Sequence, residues 1–178
     1  MNSEFLLQSE VVYSGTAFNI RLDSIALDDG TAVTSETVDT SDSVIILPLL
    51  GDSKIVLIQQ YRYAVEGWVL EAPAGGIQDG ESPLAAAERE LLEETGYRAG
   101  EMEALGSFWL APGISNEFMH AFVARDMILE GSQLEKDELI HTAIHDIELI
   151  TSPSSAGIIQ DAKTLGLLWL FRHWYDGN

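Results

Sequence analysis

Two apolar stretches, Val44 to Leu50 and Lys54 to Gln60, follow one another across Gly51-Asp52-Ser53. Both read as strands, and a sheet built around so apolar a pair calls for helices to cover it. Neither Val44 to Leu50 nor the other long apolar run, Leu165 to Phe171 with Gly166 inside it, approaches the roughly 20 residues that span a bilayer, so no membrane crossing is expected. Ahead of this pair stand short β-prone runs: Val11-Val12-Tyr13, Asn19 to Leu27, the turn residues Asp28-Asp29-Gly30, then Ala32 to Val38. They read as a hairpin-rich lead segment. After the pair come a short strand at Trp68 to Glu71 and a loop at Pro73-Ala74-Gly75-Gly76. A helix then opens with Ser82 as N-cap and Pro83 in first position, and closes at Gly96. Further strands are expected at Met102 to Trp109, Glu117 to Arg125 and Leu139 to His145, and a last helix from Ser155 to Trp174. The expected class is α+β, with a β-rich segment over 1–40 and a mixed sheet between helices over 41–178.

Charge narrows the function classes. With 9 Lys and Arg against 29 Asp and Glu, the formal charge is -20, and such a surface repels nucleic acid and anionic lipid. An anionic small substrate would need divalent cations or locally placed arginines. The absence of cysteine excludes disulfides, thiol catalysis and cysteine-ligated metals. Met1 to Gln8 has neither a basic region nor a long apolar stretch, so no signal peptide is expected and a cytoplasmic location is the default. The acidity is equally compatible with a saline habitat.

Between Arg89 and Glu94 the chain reads Arg-Glu-Leu-Leu-Glu-Glu. On a helix, Glu90 and Glu94 share one face a turn apart, and Glu93 lies on the adjoining stripe. Like charges at this spacing destabilise an isolated helix, so a compensating group is expected. Hard divalent ions such as Mg²⁺ take carboxylate oxygens and leave coordination sites for water and phosphate. A solvated acidic helix face is the plain alternative.

The wider spacing separates these readings. Gly75, Glu81, Arg89, Glu90, Leu91, Glu93, Glu94 and Gly96 form the pattern G-x5-E-x7-R-E-U-x-E-E-x-G-U, with Tyr97 where an aliphatic residue is usual. A chance match is on the order of one in 10⁹ per start position. The pattern resembles the signature of the Nudix hydrolases, which implies a loop, helix, loop unit within an α/β/α sandwich. The resemblance implies that Glu90, Glu93 and Glu94, with the Ala74 carbonyl, bind the Mg²⁺ (or Mn²⁺) that bridges a diphosphate, and that Arg89 and Glu81 orient neighbouring groups. Gly75 is expected to permit a close approach and Gly96 to end the helix.

Flanking residues are similar to those of the ADP-ribose pyrophosphatase branch: Gln60-Tyr61-Arg62, Leu70 to Gly75, and Ala111 to Glu117, where Pro112 stands 16 residues after Gly96. Asp161-Ala162-Lys163-Thr164 adds weaker support. Arg62, Pro112 and Glu117 are accordingly expected at the substrate, with Glu71 holding the glycine loop or supporting its neighbours. In related enzymes a glutamate on a later loop serves as base or completes the metal shell; here Glu138 is the first choice and Glu135 the second. Trp68 and Trp109 are stacking candidates as well as core candidates, and the four histidines read as structural or surface residues. The expected activity is hydrolysis of a nucleoside diphosphate sugar, ADP-ribose first, with GDP-mannose or ADP-glucose as alternatives. A nucleotide-sugar sensor without turnover is the competing class. The resemblance also implies a homodimer in which the lead segment exchanges between copies.

Overall fold

The computed structural model describes residues 5–131, 139–148 and 157–175. The chain divides into two compact units, one built from residues up to 42 together with 109–118, the other from 43–108 and 119 onward.

The first unit is an antiparallel meander of β1 (Leu6–Ser14), β2 (Asn19–Ala26) and β3 (Ala32–Asp39). Its β2-β3 turn falls on the expected residues: Gly30 takes φ 84° and the Asp29 carboxylate accepts from the Thr31 N–H at 2.9 Å. The 109–118 segment fastens to β3, where Asn116 donates to the Asp39 carboxylate at 2.7 Å and accepts from the Thr40 N–H at 2.9 Å. β1 is longer than the expected Val11 to Tyr13. All nine of its residues are exposed, so no alternation of buried and solvated positions marks its length in the sequence.

In the second unit, β4 (Ser43–Leu50) and β5 (Lys54–Arg62) enter a seven-stranded sheet. The remaining strands are β6 (Gly67–Glu71), β7 (Ala74–Gly76), β9 (Glu101–Trp109), β10 (Phe118–Arg125) and β12 (Ile140–Asp146). The order is β12-β5-β4-β10-β9, with β6 on β5 and β7 on β4. The β4-β10 pair is parallel and β4 meets β5 and β7 antiparallel, so the sheet is mixed. A two-stranded ribbon of β8 (Tyr97–Arg98) and β11 (Ile128–Leu129) follows the first helix.

Among the described residues, two α-helices cover the sheet, α1 (Pro83–Thr95) and α2 (Ala162–Tyr175). Because side chains alternate along a strand, β4 serves both. Val44 and Ile46, with Phe122 and Ala124 of β10, pack on Ala86, Ala87 and Leu91 of α1. Ile45 and Leu47, with Ala121 and Val123, pack on Leu167, Leu168 and Phe171 of α2. This explains the unbroken apolar run: a strand buried on both faces has no position for a polar side chain. The result is the expected α+β class, an α/β/α sandwich with a mixed sheet.

The ends of α1 follow its sequence signals. Ser82 accepts from the Ala85 N–H at 3.2 Å, and Gly96 takes φ 76° with its N–H bonded to the Leu92 carbonyl at 2.9 Å. Gly96→Ala places a Cβ in left-handed backbone and is expected to cost about 1 kcal/mol, a fall of about 2–4 °C in melting temperature. A thermal melt that matches the parent would refute this account of the cap.

Two expectations need correction. The last helix begins at Ala162 rather than Ser155, because Gly157 takes φ 95° and Asp161 caps the helix, accepting from the Thr164 N–H at 2.9 Å. The segment at Ala74 to Gly76, read as loop, is a short strand, its residues paired with Ile45, Val44 and Ser43. Glycine gives no strand signal, and the pairing is set by the partner strand.

Candidate active site

The site is assembled where β7 passes the C-terminal half of α1. Ala87, Leu91 and Glu94 follow one another at helical spacing and are buried, so a carboxylate occupies a position on the stripe that packs against the sheet. Glu94 is only 3% exposed. An ionised carboxylate so placed needs strong local donors; one is the Ala74 N–H, which donates to Glu94 Oε2 at 2.9 Å. The neighbouring residue completes the contact. A Cβ built on Gly75 would overlap the Glu90 carboxylate, so Glu90 lies directly against the bare backbone of β7. Ala74, Gly75, Glu90 and Glu94 are thus brought together as the spacing predicts.

Arg89 organises the rest of the box. Its Nε and Nη2 donate to Glu81 at 2.9 Å each, Nη2 also to the Gly76 carbonyl at 2.9 Å, and Nη1 to Glu90 at 2.6 Å and Glu93 at 3.0 Å. All five N–H donors of a guanidinium are committed to the protein. The Glu81 hydrogen bonds, followed by Glu90 and Glu93, raise the Arg89 pKa and hold it charged. The same contact, with the Gln78 N–H, holds the Glu81 carboxyl below its ordinary value.

A metal ion is implied by the resemblance, and the donor chemistry suits one. Glu90, Glu93 and Glu94 offer hard oxygens beside a backbone segment with no Cβ at Gly75, the kind of cradle that Mg²⁺ and Mn²⁺ take. Among the described residues, no three acidic or imidazole groups converge at ligand spacing. Glu90 and Glu93 instead turn to the Arg89 Nη1.

A second cluster joins the ends of β5 and β6 to the start of α2. Glu71 is 2% exposed and receives Arg62 Nε at 2.9 Å and Nη2 at 2.6 Å, a bidentate pair, together with the Lys163 ammonium. Hydrogen bonding to Glu71 raises the Arg62 pKa. Lys163 also pairs with Asp161 at 2.9 Å. Arg62 therefore reaches from a partly exposed position onto a buried carboxylate. Lys163 enters the sequence reading only within Asp161-Ala162-Lys163-Thr164, with no role of its own; an ammonium one residue into a helix, two after an Asp cap, is the available signal. Gln60, on the same side of β5 as Arg62, keeps a buried Oε1 that finds no donor among the described residues.

Of the other expected residues, Pro112 and Glu117 belong to the 109–118 segment. Pro112 lies in the first unit and lines a cavity of about 270 Å³ with Trp109, Ile114 and Asn116. Glu117 is in the same segment, its backbone carbonyl accepting from the Leu110 N–H at 3.2 Å. Trp68 stacks on His141 with ring centroids 5.0 Å apart, and Trp109 meets Phe118 at 4.7 Å. Glu135 and Glu138 lie outside the described residues.

The NUDIX domain family matches residues 39–164, and the chain belongs to the Nudix family. It is 30% identical to an ADP-ribose pyrophosphatase of Bacillus subtilis (strain 168), over 90% of this chain and 88% of that protein. It is 34% identical to a methanol dehydrogenase activator of Bacillus methanolicus, over 77% and 75% of the two chains. A crystal structure of an ADP compounds hydrolase superposes with a TM-score of 0.85 at 26% identity, covering 97% of this chain and 94% of that one. Among the described residues, no helix is long and apolar enough to cross a membrane.

Proposed function

We propose that this Nudix protein is a divalent-metal-dependent pyrophosphatase of nucleoside diphosphate sugars, with ADP-ribose its first substrate. The observation that carries the reading is the seating of β7 on α1, with Ala74 N–H on Glu94 and Gly75 against Glu90. The similarity to an ADP-ribose pyrophosphatase over most of both chains supports the choice of substrate.

Glu90, Glu94 and the Ala74 carbonyl would hold Mg²⁺, with Glu93 a further ligand. When bound, the ion neutralises diphosphate oxygens and makes a coordinated water more acidic. Arg89, with its donors spent on Glu81, Gly76, Glu90 and Glu93, acts as a positioning residue that neutralises and orients the carboxylates. Arg62 spends two N–H groups on Glu71 and keeps three for a phosphate oxygen. The overall reaction adds water across one P–O–P linkage, giving AMP and ribose 5-phosphate from ADP-ribose. Glu138, then Glu135, remain the proposed bases, and Pro112 and Glu117 proposed contacts to the nucleoside or sugar.

The lead segment over 1–40 is read as exchanging with a second copy. The exposed Phe5, Leu6, Leu7, Val11, Val12 and Tyr13 support this, since so many apolar side chains on one strand and its approach gain from a cover. Light scattering should then give twice the chain mass.

The direct test is a panel of ADP-ribose, GDP-mannose, ADP-glucose and a nucleoside triphosphate, each with Mg²⁺ and with chelator. ADP-ribose should be cleaved fastest, and chelation should abolish cleavage. Preference for another diphosphate sugar would keep the chemistry and overturn the substrate; nucleotide-sugar binding without turnover under several divalent metals would favour the sensor.

A further inference from the structure

We propose that Lys163 is a positioning residue of this site: acting through Glu71, it fixes the Arg62 guanidinium and leaves its charge available to the substrate diphosphate. The inference rests on the pyrophosphatase reading above.

The geometry forms a closed chain of contacts. Glu71 is almost wholly buried and holds Arg62 on both oxygens, while Lys163 shares Oε2. Lys163 passes to Asp161 Oδ1 at 2.9 Å. Asp161 Oδ2 accepts from Thr164 Oγ1 at 2.7 Å and from its N–H at 2.9 Å. Thr164 Oγ1 in turn accepts from the N–H of Ala72, the residue after Glu71, at 2.9 Å. The first turn of α2 thereby grips both Glu71 and Ala72. Two residues further on, Ala74 and Gly75 meet Glu94 and Glu90.

The charge count gives Lys163 its role. Arg62 and Lys163 balance Glu71 and Asp161, so the cluster is neutral. Without Lys163 the same four positions sum to one negative charge, in a chain already at -20, facing an anionic substrate. Arg62 would then be the sole cation on Glu71, and its field would be turned inward. Arg62 spends two donors on Glu71, and its side chain is 39% exposed, so the guanidinium can reach both the buried carboxylate and a ligand. A lysine that only stabilised the fold would move the thermal midpoint and leave KM unchanged.

The test compares Lys163→Met, Lys163→Arg, Arg62→Ala and the Lys163→Met/Arg62→Ala double variant on ADP-ribose with Mg²⁺. Lys163→Met should raise KM about tenfold, as loss of one charge-assisted contact does, with kcat changed far less. Lys163→Arg should restore KM. In the Arg62→Ala background, Lys163→Met should have almost no further effect on KM, and that non-additivity separates positioning from a structural role. Should Lys163→Met fold poorly with Asp161 left without its cation, Lys163→Met/Asp161→Asn removes the surplus charge and should show the same coupling to Arg62. A second readout needs no turnover: the Arg62 Nε–H resonance should exchange with water more slowly in Lys163→Met, where Arg62 is left as the sole cation on Glu71. Additive KM effects, or an Arg62 resonance indifferent to residue 163, would overturn the proposal while leaving the pyrophosphatase reading intact. A parent protein that cleaves no diphosphate sugar would overturn both.

Discussion

Glu94→Gln is expected to lower turnover of ADP-ribose by about two to three orders of magnitude, about 3–4 kcal/mol of lost transition-state stabilisation, while the protein stays folded. Glutamine keeps the shape of the side chain and an acceptor for the Ala74 N–H, so β7 remains seated on α1. What it removes is the charge, at a position buried among Ala87 and Leu91 where that charge contributes nothing to packing. A helix that needed position 94 only for its core would favour an apolar residue there. The pair of measurements to make is kcat with saturating Mg²⁺ and the thermal midpoint. Turnover equal to the parent's would sink the assignment of Glu94 to the metal; a collapse of the midpoint would assign it to the fold.

Gly75→Ala is expected to cost about one to two orders of magnitude in kcat/KM, again with a small change in stability. The added Cβ meets the end of a flexible side chain, the Glu90 carboxylate, rather than backbone. The strand pairing of Gly75 with Val44 survives, and Glu90 is the group that yields. Displacing one carboxylate by an ångström from its productive place is a change that geometry-dependent catalysis feels strongly and packing hardly at all. Raising Mg²⁺ should recover part of the loss if Glu90 is a ligand. An alanine variant with parental kcat/KM would show that the close approach of Glu90 to β7 has no part in the reaction.

Much of this arrangement is legible in the order of the residues alone. The box spacing brings Gly75, Glu90 and Glu94 together because helix and cap geometry are local properties, fixed within a few residues of Ser82 and Gly96. The double-sided burial of β4 is likewise written in its unbroken apolar run. Lys163 shows where local reasoning stops. Its partner Glu71 lies 92 residues away in the chain, and nothing in Asp161-Ala162-Lys163-Thr164 says which carboxylate that ammonium will find. The extent of β1 is hidden for a different reason: with both faces exposed it carries no periodicity. The short strand at Ala74 to Gly76 is dictated by the strand beside it, not by its own glycines.

The division of β4 between two helices limits where this chain can change length. Val44 and Ile46 answer to α1, Ile45 and Leu47 to α2, and Ser43 to Ile45 carry the pairing that holds β7. Inserting or deleting one residue within β4 would invert that parity, handing each helix the side chains cut for the other and sliding Gly75 off Glu90 in the same step. Lineages of this chain are therefore free to lengthen or trim their loops, while the strand at the centre acts as a reading frame whose phase must be kept.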